Sequence, residues 1–132
     1  MTSHSIYNGK LRTTNTHVAS GATFQTDAPV DNNGKGEAFS PTDTVANALA
    51  SCMLTIMGVR AEKNGISLKG SRATVVKTMA SNPRRISKIE IAFTMEGDCP
   101  TDKRELMEKV AAACPVHKSL HPDIETVVTY NW

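Results

Sequence analysis

The sequence predicts an α+β fold, and three observations carry that reading. Thr-rich segments with scattered Val, Ile, Tyr and Phe come first, over residues 5–28. A long, nearly uncharged helical pattern follows from Ser40. A hairpin pattern, a second helical pattern and a last strand then complete the chain. At 132 residues the chain matches one domain, since domains usually run to about 100–200 residues, and no repeat or linker divides it. It reads as a single domain, 1–132.

Each element has its own local cause. Residues 5–28 predict two or three strands, with turns near Thr14-Asn15 and near Gly21. Asp31-Asn32-Asn33-Gly34-Lys35-Gly36 reads as a loop. Ser40-Pro41-Thr42-Asp43 opens a helix: Ser40 can cap free N–H groups, Pro41 suits the first helical position, and Asp43 complements the dipole. Val45, Leu49, Cys52, Ile56 and Val59 then recur at helical spacing on one face, and Ala46, Ala50, Met53 and Met57 form an adjacent one. A helix apolar on nearly every side is expected to be buried on most of them. Asn64-Gly65 ends it. A chain this size has few layers with which to cover such a helix, which predicts an obligate homodimer with the helix at its centre. The alternative is cover by its own sheet.

Residues 66–79 and 85–96 predict two strands joined at Ser81-Asn82-Pro83-Arg84. In the second, Ile89, Ile91, Phe93 and Met95 alternate with Lys88, Glu90, Ala92 and Thr94, so one face is buried. A helix begins near Asp102, with Glu105 at capping-box spacing. Leu106, Val110 and Ala113 are its expected inner face, with Lys103, Arg104, Glu108 and Lys109 solvated. Cys114-Pro115 interrupts it, a short helix runs to Leu120, and Ile124 to Tyr130 is the final strand.

Composition narrows the function. The net charge is +2 and no run of Lys or Arg exceeds two, which argues against nucleic acid or an anionic membrane as partner. The N-terminus carries no secretory pattern. The longest uncharged stretch, Thr44 to Val59, is sixteen residues, short of the ~20 that span a bilayer. A cytoplasmic, reducing setting is expected. Three cysteines are too few for a disulfide scaffold, and in such a setting thiols are reactive, metal-binding or inert. There is no phosphate-binding loop, nucleophile elbow, HExxH or CxxC.

The three thiols differ. Cys52 lies mid-helix among apolar neighbours, where a small core residue is the plain reading, and reactivity would need a cation from elsewhere. Cys114 precedes Pro115 and so falls at a helix N-cap, where free N–H groups favour a thiolate and lower its pKa. Cys99 sits beside Asp98 and reads as a spare thiol. Cys114, His117 and His121 could share a helical face toward zinc, but no second ligand pair joins them. No metal or organic cofactor is expected, and both histidines read as surface or packing residues.

Taken together, Phe39-Ser40-Pro41-Thr42-Asp43, Ala50-Ser51-Cys52-Met53 and Cys114-Pro115-Val116-His117-Lys118-Ser119-Leu120 resemble the OsmC/Ohr family of osmotically inducible and organic hydroperoxide resistance proteins. The likeness covers essentially the whole chain, and paired cysteine motifs about sixty residues apart make it specific. It implies an intertwined homodimer, with antiparallel sheets around a central Cys-bearing helix from each chain. It implies a thiol peroxidase that reduces organic hydroperoxides in oxidative stress defence, with Cys52 peroxidatic and Cys114 resolving, recycled by an external dithiol. This reverses the local ranking of the two thiols. The family's activating cation is an arginine on the N-terminal strands, paired with a glutamate ten residues before the cysteine. Here Arg12 is the only arginine in those strands, position 42 is Thr, and the nearest acid is Asp43. That departure points to the OsmC-like branch. The alternative is a protein that binds a small lipophile or senses redox state without efficient turnover.

Overall fold

The computed structural model describes all 132 residues. Two compact units succeed one another along the chain, Met1–Val45 and Ala46–Trp132.

The first unit is an antiparallel meander of β1 (Ser3–Tyr7), β2 (Arg12–His17) and β3 (Thr23–Asp27). The turn between β1 and β2 lies at residues 8–11 and not at Thr14-Asn15, which sit inside β2. Gly9 at φ 78° provides the left-handed start of that turn, while Thr14 is β-branched and suits a strand. The turn expected at Gly21 is present, with φ 72°. Every residue of β1 is exposed. The buried residues of the unit are Thr26, Asp27 and Ser40, none of them apolar.

Helix α1 (Pro41–Lys63) crosses from one unit to the next. The Asp43 N–H donates to Ser40 Oγ (3.0 Å), and the Ser40 N–H donates to Asp43 Oδ2 (2.9 Å). This reciprocal box satisfies two free donors at once. At the other end Gly65 takes φ 67°, and the Ile66 and Gly65 N–H groups close back on Ala61 and Glu62 in a Schellman motif. With 23 residues, α1 is long and apolar enough to cross a membrane by length and composition; the uncharged stretch alone falls short of that. Its buried residues are Ala46, Leu49, Ala50, Met53, Met57 and Ala61. The second apolar face is thus the inner one, joined by Leu49 from the first. On the first, Cys52 and Ile56 are half-buried, Val45 is 39% exposed and Val59 48%. In the single chain the helix is covered on one side, not on most.

The second unit holds a sheet of order β4-β5-β6, formed by β4 (Arg72–Ala80), β5 (Arg85–Thr94) and β6 (Glu125–Asn131). Residues 66–71, expected to extend β4, form a loop tied to residues 97–98. The Ser67 N–H donates to Asp98 Oδ1 (2.6 Å), and Gly97, at φ 97°, packs where a Cβ would strike the Ser67 carbonyl. β4 and β5 are antiparallel as expected. β6 instead pairs parallel to β5, which corrects the all-antiparallel expectation. Parallel neighbours need a crossover, and here it contains α2 (Thr101–Ala112) and α3 (Pro115–Ser119).

Two details of α2 differ from the sequence expectation. No side chain caps its N-terminus; Glu105 pairs with Lys109 one turn on (2.6 Å). Its buried positions are Met107 and Ala111, with Leu106 and Val110 half-buried and Ala113 exposed. The helix stops at Ala112, so Ala113 turns outward and Cys114 takes the next inward place. The core of this unit joins the α1 face to Ile89, Ile91, Phe93 and Met95 from β5 and its following turn, and to Met107, Ala111 and Cys114. The alternation read in β5 is therefore the core pattern.

Candidate functional site

Cys52 and Cys114 are brought together in the second unit. Cys52 is carried by α1, half-buried; Cys114 is fully buried at the junction of α2 and α3; both are free thiols. Cys114 caps α3 as its spacing to Pro115 predicts, its sulfur accepting the His117 N–H at 3.3 Å. The expected consequence for its acidity is reversed. Burial pushes the Cys114 thiol up, and the neighbouring Cys52 thiol pushes the same way, against the opposing His117 N–H. The His117 and Val116 N–H groups at a five-residue helix do not offset the loss of solvent. Cys114 is thus held protonated, and Cys52 is the member of the pair with access to solvent.

His117 is more than a packing residue. Its Nδ1 hydrogen-bonds the Ala112 carbonyl (3.1 Å), so that nitrogen carries the proton, and its Nε2 meets Thr126 Oγ1 (3.0 Å). The ring joins the end of α2 to β6. The sequence signal was present in the spacing of Cys114 to His117, which puts the His117 N–H at the capping position.

Aromatic residues complete the surroundings. Tyr130 stacks on Phe93 (centroids 5.2 Å) and on Trp132 (6.5 Å). Arg104 lies over the Trp132 ring at 5.6 Å, and Trp132 Nε1–H donates to Glu108 Oε1 (2.8 Å). Burial, with Glu108 and Cys114 nearby, pushes the Tyr130 phenol up to about 12. Nothing in the sequence singled out Tyr130 or Trp132 beyond the inward alternation of Thr126, Val128 and Tyr130 along β6.

Cys99 stands apart from the pair, and burial raises its pKa too. A cleft of about 380 Å³ in the same unit is lined by Leu54, Gly58, Ala61, Ile66, Leu68 and Lys69 among others, and neither Cys52 nor Cys114 lines it.

Arg12 and Asp43 lie in the first unit. Arg12 Nη2 contacts Asp27 Oδ2 (3.0 Å) and Glu37 Oε2 (2.8 Å). Asp27 is buried, its Oδ2 also accepts the Glu37 N–H (3.1 Å), and its Oδ1 has no partner. Arg12 and then the Glu37 N–H lower the Asp27 pKa, and Asp27 foremost raises that of Arg12. Asp43 is engaged in the α1 cap. The sequence singled out neither Asp27 nor Glu37 as a partner of Arg12.

The geometry can be set beside known proteins. The family model for OsmC-like proteins matches residues 34–129. A proposed osmotic stress induced and detoxification response protein from Psychrobacter arcticus is 47% identical, with a TM-score of 0.95 over 99% of this chain and 96% of its own. An OsmC-like protein from Mycoplasma pneumoniae has the same fold at 18% identity, with a TM-score of 0.79 over 98% and 94% of the two chains. So does the organic hydroperoxide resistance protein OsmC from Legionella pneumophila, at 16% identity and a TM-score of 0.72 over 100% and 98%. No functionally curated protein matches the chain. On the family match and the 47% identical relative, the chain belongs to the OsmC-like protein family.

Proposed function

We propose that the protein is a thiol peroxidase that reduces organic hydroperoxides. The observation that carries the reading is the asymmetry of the thiol pair: Cys52 has access to solvent, and beside it Cys114 is buried and held protonated. In the proposed cycle the Cys52 thiolate attacks the terminal peroxide oxygen, the O–O bond breaks, and an alcohol leaves with a proton. Cys52 is then a sulfenic acid. The Cys114 sulfur attacks Cys52 Sγ, the S–O bond breaks, and water departs with the Cys114 proton. An external dithiol reduces the resulting disulfide. The detoxification description of the Psychrobacter relative and the hydroperoxide resistance description of the Legionella protein support this chemistry.

Arg12 is the proposed cation for Cys52 in this cycle, and Asp43 a proposed supporting acid that also fixes the start of α1. A homodimer is the proposed working form, because Val45 and Val59 of α1 stand exposed, and Cys52 and Ile56 only half-covered, in one chain. A reducing, cytoplasmic setting suits a cycle that begins from two free thiols.

The test is stopped-flow consumption of cumene hydroperoxide with dithiothreitol present. Wild type is expected to turn over, and Cys52→Ser is expected to be inert. Equal rates for the two proteins overturn the reading. Intact mass after one equivalent of peroxide is expected to fall by two hydrogens, and this change is expected to vanish in Cys114→Ser. The cleft lined in part by Leu54, Ile66 and Leu68 favours a second reading, binding of a small lipophile. Saturable binding of a fatty acid that Cys52→Ser leaves unchanged, with no peroxide turnover, would establish it instead.

A further inference from the structure

Resolution by Cys114 needs its sulfur to reach Cys52 from a place fixed well enough for the bond to form. Cys114 sits between two helices, in a crossover that must hold its shape. One residue makes three contacts around it. The His117 N–H reaches Cys114 Sγ (3.3 Å), its Nδ1 reaches the Ala112 carbonyl (3.1 Å), and its Nε2 reaches Thr126 Oγ1 (3.0 Å). These partners lie on both chain sides of Cys114: the end of α2 before it and β6 after it.

We infer that His117 is a positioning residue for the resolving thiol, a clamp that holds Cys114 Sγ against Cys52 by tying the end of α2 to β6. With Nδ1–H donating to a carbonyl, Nε2 is left to accept the hydrogen bond of the Thr126 hydroxyl, so both ring nitrogens are partnered within the clamp. The ring does not touch the reacting atoms. Its effect is on the fraction of time that the two sulfurs face each other, which enters the closing rate as an effective concentration. The inference rests on the proposed two-thiol cycle.

The experiment therefore uses thiol exchange with glutathione disulfide, which needs no peroxide. Glutathione disulfide is reduced to two glutathione thiols and takes up both protein thiol hydrogens, while the Cys52–Cys114 bond forms. The wild-type pair is expected to close, and the His117→Ala pair, which keeps the backbone N–H to Cys114 Sγ but loses both ring contacts, is expected to close about tenfold more slowly, a loss in line with removing two hydrogen bonds. Alkylation of Cys52 in the Cys114→Ser background is expected to proceed at the same rate with or without His117→Ala. His117→Asn, whose amide can still donate to the Ala112 carbonyl, is expected to recover part of the closing rate, and Thr126→Val is expected to lose part of it. Equal closing in wild type and His117→Ala overturns the clamp, and so does a loss that is matched by a change in Cys52 alkylation. A wild-type pair that never closes sinks the two-thiol cycle itself, a separate result.

Discussion

Val59 offers the most demanding test of the proposed dimer. It lies 48% exposed on the α1 face that also carries Val45, Cys52 and Ile56. Fully burying a valine is worth about 1.5–3 kcal/mol, so covering the exposed half gains about 1 kcal/mol per chain. A glutamate there meets the opposite condition. If the face is covered by a second copy, each Val59→Glu carboxylate loses its water, at a cost of several kcal/mol per ion. With two such groups per dimer, the lost apolar burial and the added desolvation together reach about 5 kcal/mol or more. That is at least a thousandfold in the dimer dissociation constant, since each 1.4 kcal/mol or so is tenfold. Sedimentation across 1–100 μM, roughly the range that separates such affinities, is the assay. Wild type is expected to run at twice the chain mass throughout, and Val59→Glu as a folded or partly folded monomer. Urea unfolding of wild type is expected to shift to higher midpoint with protein concentration, as for any coupled dimer. A wild-type monomer with concentration-independent unfolding refutes the reasoning, and so does a Val59→Glu dimer as tight as wild type.

Other expectations follow from single contacts. Ser40→Ala removes the acceptor for the Asp43 N–H and is expected to lower unfolding free energy by about 1 kcal/mol in urea titration, the usual cost of a lost cap. Phe93→Ala removes a fully buried ring that stacks on Tyr130 and is expected to cost about 3–5 kcal/mol. Both Cys114 and Tyr130 have folded-state pKa values raised above their ordinary ones, Tyr130 to about 12. Groups raised in this way contribute stability at lower pH and lose it as pH rises through the folded value. Unfolding free energy measured from pH 7 upward is therefore expected to fall on the alkaline side. Tyr130→Phe is expected to flatten the part nearest pH 12 and to remove the late step of the ultraviolet tyrosinate titration.

The elements that were legible in the sequence are those with a local cause. Ser40-Pro41 and Asn64-Gly65 marked the ends of α1 through caps that act within five residues. Ile89, Ile91 and Phe93 marked β5 through strict alternation. Cys114-Pro115 marked the start of α3. The parallel pairing of β6 was not legible, because Lys88 meets Glu125 across thirty-seven positions of chain and neither carries a signal of the other. The inward face of α1 was ambiguous because two adjacent stripes were equally apolar. At the site, the family resemblance ranked Cys52 above Cys114, while local reading favoured Cys114 for its cap. The cap is real, but burial outweighs it, and burial depends on the sheet and not on neighbours in sequence. Asp27 and Glu37 around Arg12 were missed for the same reason, since fifteen and twenty-five positions separate them from it.

The parallel step from β5 to β6 also sets an order of events as the chain folds. The hairpin of β4 and β5 closes over a four-residue turn, whereas β6 pairs only after α2 and α3 have been laid down. Contacts between distant positions form late, because the intervening loop loses entropy first. His117 finds Thr126 only once β6 is in place. A nascent chain therefore carries Cys52 before Cys114 has been added and has its final seat beside it. On the proposed two-thiol cycle, a Cys52 oxidised in that interval has no neighbouring thiol to resolve it, which places its exposure to further oxidation in synthesis.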